Sequence, residues 1–338
     1  MKKKILVTGG CGYIGSHTLV EIIQAGYDVV ALDNLSNSDP SILKGVEKIV
    51  GKGVPFVQAD CCDYDAMERL FAEHNFDLVI HFAASKKVGE SVKIPLHYYR
   101  NNLTSFMNIL DMMRKYSVKY FLFSSSCTVY GEPETLPVHE GMPFRRTTSP
   151  YGRTKQFCED ILRDSIESYG EFKAISLRYF NPIGAHPSAL IGELPLGVPN
   201  NLLPYVTQTA LGIREKLSIF GDDYPTPDGT NIRDYIDIND LARAHRIAVE
   251  RLLNEKTKSD YEVFNLGTGV GISTLEIVKT FEKVTGVKVN YEMAPRRYGD
   301  IAAIWADPAI ANNELGWKAE KSLEETLLSA WKWENRTK

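Results

Sequence analysis

The chain has 338 residues, enough for a full hydrophobic core and two lobes. Its net charge of -4, with no basic block, argues against nucleic acid as a partner, and no apolar run approaches the ~20 residues of a membrane span. The five cysteines are odd in number and form no CxxC pair, so they read as reduced thiols of a cytoplasmic protein. Met1-Lys2-Lys3-Lys4 is basic, but the apolar run Ile5-Leu6-Val7 is cut at Gly9-Gly10, too short for the hydrophobic part of a signal peptide.

Lys4 to Thr8 reads as a buried strand. It runs into Gly9-Gly10-Cys11-Gly12-Tyr13-Ile14-Gly15, and a helical pattern with Leu19, Ile22 and Ile23 then stops at Gly26. Val29 to Leu32 is a second strand, closed by Asp33. This is a βαβ unit with a dinucleotide fingerprint. Gly10, Gly12 and Gly15 satisfy GxGxxG, while Gly9, Gly12 and Gly15 satisfy GxxGxxG. In either register the glycines let the backbone approach a pyrophosphate at a helix N-terminus, where free N–H groups and the dipole favour an anion. Asp33 lies 18 residues past Gly15, where a carboxylate accepts from a ribose 2′-hydroxyl and repels a 2′-phosphate; this favours NAD over NADP.

The alternation continues. Strands are expected at Pro55–Gln58, Leu78–Phe82, Tyr120–Phe123 and Ala174–Leu177, with helices at Asp65–His74, Leu96–Lys115 and Tyr151–Tyr169. Six strands alternating with helices make an α/β fold, a doubly wound parallel Rossmann-type sheet. After Tyr179-Phe180-Asn181 the texture changes. Residues 181–201 read as a long loop rich in Pro and Gly. Short elements follow at 202–211, 217–220, 233–236, 240–253, 263–266, 287–289 and 323–333, a smaller mixed α/β C-terminal lobe. The division expected is a dinucleotide lobe over 1–180 and a substrate lobe over 181–338, with segments around 233–266 able to return to the first. Gly267 to Gly271 fails the GxGxxG spacing and reads as a structural turn before the capping box Ser273-Thr274-Leu275-Glu276.

Tyr151 and Lys155 stand four apart on a helix, so an ammonium can sit beside a phenol. Ser149 can cap that helix and Pro150 suits its first position. A nearby cation lowers a phenol's pKa from about 10, which yields a general acid/base for a hydroxyl proton. Ser124-Ser125-Ser126 lie where a parallel strand's carboxyl end meets the ligand crevice. For Ser124 and Ser125 a polar turn with self-bonded hydroxyls is the preferred reading.

Gly9, Gly12, Gly15, Ser126, Tyr151 and Lys155, in that order, resemble the extended short-chain dehydrogenase/reductase family. Longer stretches resemble its nucleotide-sugar epimerase branch: Thr8 to His17, Val88 to Val92, Arg178 to Pro187, Tyr224-Pro225-Thr226 with Asp228-Gly229-Thr230, Arg233 to Ile236, and Ala294 to Arg297 with Gly299-Asp300. The resemblance implies tightly bound NAD and reversible inversion of C4 of a UDP-hexose, UDP-glucose/UDP-galactose, in galactose metabolism. It implies Tyr151 as the proton acceptor, Lys155 on the nicotinamide ribose and Ser126 on the 4-oxygen. NAD binding would involve Gly9, Gly12, Tyr13, Ile14, Gly15, Asp33, Asn34, Asn37, Asp60, Cys61, Phe82, Ala83, Ala84, Lys86, Asn101, Tyr151, Lys155 and Phe180. The UDP-sugar would fall to Lys86, Ser126, Tyr151, Tyr179, Asn181, Asn201, Leu202, Ser218, Phe220, Arg233, Tyr235, Arg297, Asp300 and Ile304. Arg233 and Arg297 offer planar donors suited to a pyrophosphate. A homodimer through the helices at 96–115 and 151–169 is implied as well.

Departures refine this. Ala84 stands where many members carry Gly, and Cys127 where Ala is common. Ile304 is intermediate between a large Tyr that closes the sugar pocket and a small residue that admits N-acetylated sugars. A UDP-N-acetylglucosamine 4-epimerase is thus an alternative. A dehydratase is a second one, but it would carry an Asp-Glu pair after Ser126, where this chain has Cys127-Thr128. His186 has no partner Cys or His at ligand spacing, so no metal is expected.

Overall fold

In the computed structural model, which describes residues 2–297 and 299–337, the apolar runs pair into one parallel sheet. In chain order the first part contains β1 (Lys4–Thr8), α1 (Tyr13–Gln24), β2 (Asp28–Asp33), α2 (Ser41–Val50), β3 (Phe56–Gln58), α3 (Tyr64–Glu73) and β4 (Leu78–His81). Then come α4 (Val88–Lys93), α5 (Pro95–Lys115), β5 (Tyr120–Ser126), α6 (Pro150–Tyr169) and β6 (Lys173–Tyr179). The second part begins with β7 (Asn181–Ile183), α7 (Leu202–Ala210), β8 (Leu217–Phe220), β9 (Ile232–Arg233), β10 (Tyr235–Asp237) and α8 (Ile238–Leu253). It ends with β11 (Tyr261–Leu266), β12 (Ile272–Ser273), α9 (Thr274–Thr285), β13 (Tyr291–Ala294), β14 (Ala303–Ile304) and α10 (Leu323–Glu334).

The main sheet has the order β11-β6-β5-β4-β1-β2-β3 and is parallel throughout. Its strands are covered on both faces, which is why they read as continuous apolar runs. Alternate residues serve the two faces. Ile5, Val7, Val29, Ala31, Leu78 and Ile80 join α1, α2 and α8 in one core, while Leu6, Val30, Leu32 and Val79 join α3, α5 and α6 in the other. The chain winds outward from β1 through β2 to β3, then restarts at β4 and winds the other way. The order therefore reverses between β1 and β4, the place where open α/β sheets bind ligands.

The doubly wound architecture read from the sequence is the one that forms, with seven strands rather than six because β11 adds to β6. Several local readings need correction. Residues 287–289 are not a strand: α9 ends at Gly286 in a left-handed conformation, and Val289 drops into the second-lobe core. The Val289 N–H is bound by the Glu282 carboxylate rather than by a neighbouring strand. The run 233–236 divides at Asp234, whose carboxylate turns inward to accept from Thr268, Gly269 and Ala306 N–H groups. The loop after 181 contains the short strand β7, paired with β10. Helices α2 and α4 were not anticipated.

The second lobe is held by its own apolar cluster, with Leu203, Val206, Ile219, Tyr235, Phe281 and Leu327 at its centre. A smaller cluster joins the lobes and includes Cys127, Val129, Tyr130, Phe180 and Ile304. Among the described residues no helix is long and apolar enough to cross a membrane.

Candidate active site

The turn after β1 shows why it is glycine-rich. Gly9 has φ +71°, which L side chains avoid, and a Cβ on Gly15 would lie 2.2 Å from the Gly9 carbonyl oxygen. The outer members of the Gly9-Gly12-Gly15 register therefore touch. A Cβ on Gly12 would meet only the Gly9 oxygen, at 3.1 Å, and otherwise stand in the open mouth of the turn. No side chain caps α1, so its first N–H groups, at Tyr13 and Ile14, face that mouth. The Tyr13 side chain is not part of the opening, because its buried hydroxyl donates to the Gly184 carbonyl at 2.6 Å.

Asp33, at the end of β2, is buried and braces the turn. It accepts from Cys11 N–H at 3.1 Å, Leu35 N–H at 2.9 Å and the Ser38 hydroxyl at 2.7 Å. Asn34 donates to Asp60 at 3.0 Å, while Asn37 is exposed nearby. Cys61 is buried, and the Asn101 amide bonds Asn102 at 3.0 Å. Phe82 and Ala83 leave β4 tied to Thr8, through its carbonyl and its hydroxyl respectively. Ala84 follows partly buried, and Lys86 is exposed. Phe180 is buried where the two lobes meet.

Two strands along the sheet from β1, β5 with α6 brings the three candidate catalytic residues together. Ser149 caps α6, its hydroxyl accepting the Gly152 N–H at 3.2 Å, and Pro150 takes the first helical position. That start sets Tyr151 and Lys155 one turn apart. Tyr151 is partly buried, with the Ser126 side chain as a neighbour of its phenol. Lys155 is 4% exposed; its ammonium donates to the Ser124 carbonyl at 2.5 Å and lies 6.0 Å from the Tyr151 ring centroid.

The expected lowering of the phenol's pKa by Lys155 is not what the protein alone produces. Burial pushes Tyr151 up to about 12; the hydrogen bond from Ser126 opposes this, and the Cys127 and Cys158 thiols add to it. Burial also brings Lys155 down to about 8, against the pull of Cys158 and Glu159. Desolvation outweighs the cation because the ammonium is directed at a carbonyl. Ser124 and Ser125 likewise do not form a polar turn. Both belong to β5, and the Ser125 hydroxyl donates to the Glu159 carboxylate at 2.5 Å. Glu159 also takes two hydrogen bonds from Arg178, at 3.0 and 2.7 Å, a pair invisible to the sequence reading although Glu159 continues the four-residue spacing of Tyr151 and Lys155.

The candidates for the UDP end divide. Arg233 and Arg297 come with Asp300 and Phe220: Arg297 bonds Asp300 at 3.1 Å and its guanidinium is 5.2 Å from the Phe220 ring. The Arg233 side chain donates to the Ile232 carbonyl at 2.8 Å. Asn201 bonds Glu193 at 2.5 Å, next to Leu202 at the start of α7. Ser218 reaches Glu292 at 3.4 Å, and the Asn181 N–H is held by the Asp234 carbonyl. Ile304 is buried against the cluster that contains Cys127 and Phe180. Tyr235 packs in the second-lobe core. The Tyr179 hydroxyl is buried 2.6 Å from the His245 ring nitrogen, the least available of the set. Tyr224, which the sequence reading places in a resembling stretch without a site role, is a buried phenol whose ring lies 4.1 Å from the Arg296 guanidinium. The sequence reading missed Thr128, which bonds Ser126. His186 bonds Ser188 at 2.8 Å.

The comparison with known proteins agrees with this arrangement. Residues 5–267 match the model of the NAD dependent epimerase/dehydratase family. The chain is 54% identical over 331 residues to the UDP-glucose 4-epimerase of Bacillus subtilis (strain 168), covering 98% of this chain and 96% of that protein. It resembles the crystal structure of UDP-glucose 4-epimerase from Bifidobacterium longum in complex with NAD+ and UDP, with a TM-score of 0.96, 48% identity, and 99% and 98% of the two chains covered. It also resembles UDP-glucose-4-epimerase from Stenotrophomonas maltophila with bound NAD and formylated UDP-arabinopyranose, with a TM-score of 0.94, 46% identity, and coverages of 99% and 98%. With the glycine turn, the reversed strand order and the Ser-Tyr-Lys cluster all lying inside the matched span, the chain belongs to the NAD dependent epimerase/dehydratase family.

Proposed function

We propose that this chain is a UDP-glucose 4-epimerase that inverts C4 of UDP-galactose and UDP-glucose, reversibly, through a 4-keto sugar. The observation that carries the reading is the Ser126 and Tyr151 side chains set together with Lys155 one turn away, at the end of β5, which β4 alone separates from the strand that runs into the glycine turn. The relatives' printed activity supports it.

The open face of Gly12 and the uncapped start of α1 fit a dinucleotide's pyrophosphate, and Asp33 suits an unphosphorylated ribose. NAD, when bound there, supplies the acceptor for the hydrogen that leaves C4 with its electron pair and returns it to the opposite face. Tyr151 takes the 4-hydroxyl proton at its phenol oxygen and gives it back. Ser126 would hold the 4-oxygen, Lys155 would serve the cofactor ribose, and Arg233 with Arg297 would anchor the diphosphate about which the ketone turns. Ile304 is buried with Cys127 and Phe180, and a side chain of its size there supports sugars without an N-acetyl group as the main pair. The exposed Leu96 and Met107 on α5 support a homodimer through α5 and α6. The five unbridged thiols support a cytoplasmic location.

The test is conversion of UDP-galactose to UDP-glucose by protein purified without added NAD, with bound dinucleotide measured after denaturation. Turnover without net NADH is expected. NADH that accumulates in step with product would overturn the epimerase reading, and an equal rate on UDP-N-acetylgalactosamine would overturn the assignment of the narrower substrate pair.

A further inference from the structure

Ser126 closes β5 and caps the short 3-10 turn Cys127–Tyr130. Its oxygen accepts the Thr128 backbone N–H at 3.2 Å and the Thr128 hydroxyl at 3.0 Å. A serine hydroxyl has two acceptor positions and one proton. One residue thus fills both acceptor positions, and the Ser126 proton is what remains to give. On its other side Ser126 has the Tyr151 phenol as its neighbour, the group that its remaining proton can serve. Thr128 also packs on the first turn of α6: its Cβ lies 3.2 Å from where a Cβ on Gly152 would stand, next to Tyr151. It therefore touches the supports of both reacting hydroxyls.

We infer that Thr128 is a positioning residue for the reaction, fixing Ser126 as a hydrogen-bond donor toward the Tyr151 oxygen and the sugar oxygen that meets it. The inference rests on the epimerase reading above. A free serine hydroxyl rotates and presents a lone pair as readily as its proton. A lone pair facing a phenolate or an oxyanion repels it, whereas a proton stabilises it. With the Thr128 hydroxyl and N–H both donating to Ser126, the second arrangement is the one they favour. Donation from Thr128 to Ser126 also polarises Ser126 as a donor, as in any chain of hydrogen bonds.

The variant that isolates this is Thr128→Val, which keeps the shape and the backbone N–H but removes the hydroxyl. The other titratable groups around Tyr151 are untouched: Lys155 and Cys158 of α6, Cys127 of the 3-10 turn, Tyr98 of α5 and Tyr179 of β6. In the holoenzyme kcat for UDP-galactose should fall about five- to tenfold, the worth of one hydrogen bond between neutral groups, with KM and the Kd for UDP unchanged. The acid limb of the kcat–pH profile should move up by about half a unit to one unit, because the phenolate loses a donor. Thr128→Ser should restore both. An unchanged kcat and pH profile in Thr128→Val overturns the inference. A rise in KM alone would mean that Thr128 contacts the sugar, and a Thr128→Ser as impaired as Thr128→Val would mean that the methyl group matters; either overturns it too. Normal turnover by the unaltered protein with any of these results leaves the epimerase reading standing, whereas an unaltered protein without turnover overturns both.

Discussion

Two polar clusters lie side by side and draw on the same two elements, yet they are built in opposite ways. The deeper one joins Ser125 of β5, Glu159 of α6 and Arg178 of β6, with Tyr130 and Tyr261 at its edges. Glu159 is fully buried and Arg178 3% exposed, and the carboxylate receives both arms of the guanidinium, the Ser125 hydroxyl and the Tyr261 hydroxyl. The cluster at the mouth uses the neighbouring positions, Ser126 and the Tyr151–Lys155 pair one and two turns earlier on α6. There the Lys155 ammonium has three protons and one hydrogen bond among the described residues, to the Ser124 carbonyl. Both Tyr151 and Lys155 are pushed by burial toward their neutral forms. The lesson is one of saturation. Where protein groups satisfy every charge, the cluster serves the scaffold; where capacity is left over, the fold holds it for a ligand.

The largest effect that would break this contrast is on the open side. Tyr151→Phe removes one oxygen and leaves the ring's packing in place. Turnover should fall by about 10²–10⁴-fold, the range for a lost general acid/base, while bound dinucleotide, UDP affinity and melting temperature stay close to those of the parent. Loss of folding or of the dinucleotide would place Tyr151 with the scaffold instead.

The matching change on the closed side is Arg178→Met. It strands the Glu159 carboxylate without its cation, and stability should drop by about 3–5 kcal/mol in denaturant titrations. The double variant Arg178→Met with Glu159→Leu should recover much of that loss, since no buried charge is then unpaired. If the double variant is stable but its kcat collapses, the deep cluster does more than support the sheet.

Legibility in the sequence followed the same physics. The strands of the sheet's centre are covered on both faces, so β1 and β4 were visible as apolar runs, and Ser149-Pro150 marked the start of α6 through local chemistry alone. The C-terminal lobe was harder. β9 and β14 are two residues long and exist because Asp234 and the loop at 267–269 hold them, a contact spanning 34 residues between Asp234 and Thr268. Val289 looked like part of a strand, but a side chain of α9 claims its N–H. At the site, helical spacing exposed Tyr151 and Lys155. The partner of Glu159 lies 19 residues on, in a different strand, and no spacing rule links them. The Tyr179 hydroxyl meets the His245 ring, a contact 66 residues along the chain that composition does not reveal.

The smallest of the three expected effects concerns the charge that both readings share, Lys155. Burial lowers its pKa from an ordinary 10.5 to about 8, so below that value the folded protein carries a buried ammonium at a cost the unfolded chain avoids. As pH rises through about 8 the folded form releases the proton first, and stability climbs until the unfolded chain releases it too, near the ordinary value. Between about pH 7 and about pH 9.5 this group alone should add about 2 kcal/mol to the parent's stability. Lys155→Met removes the increment, so the difference between the two proteins' unfolding free energies should grow in the parent's favour over that window. The comparison cancels the buried tyrosines, whose raised values act in the opposite sense above about pH 10. A parallel pair of pH curves would show Lys155 to be as fully compensated as Arg178, and the distinction between an open and a closed cluster would then fail at the residue where it is most exposed to test.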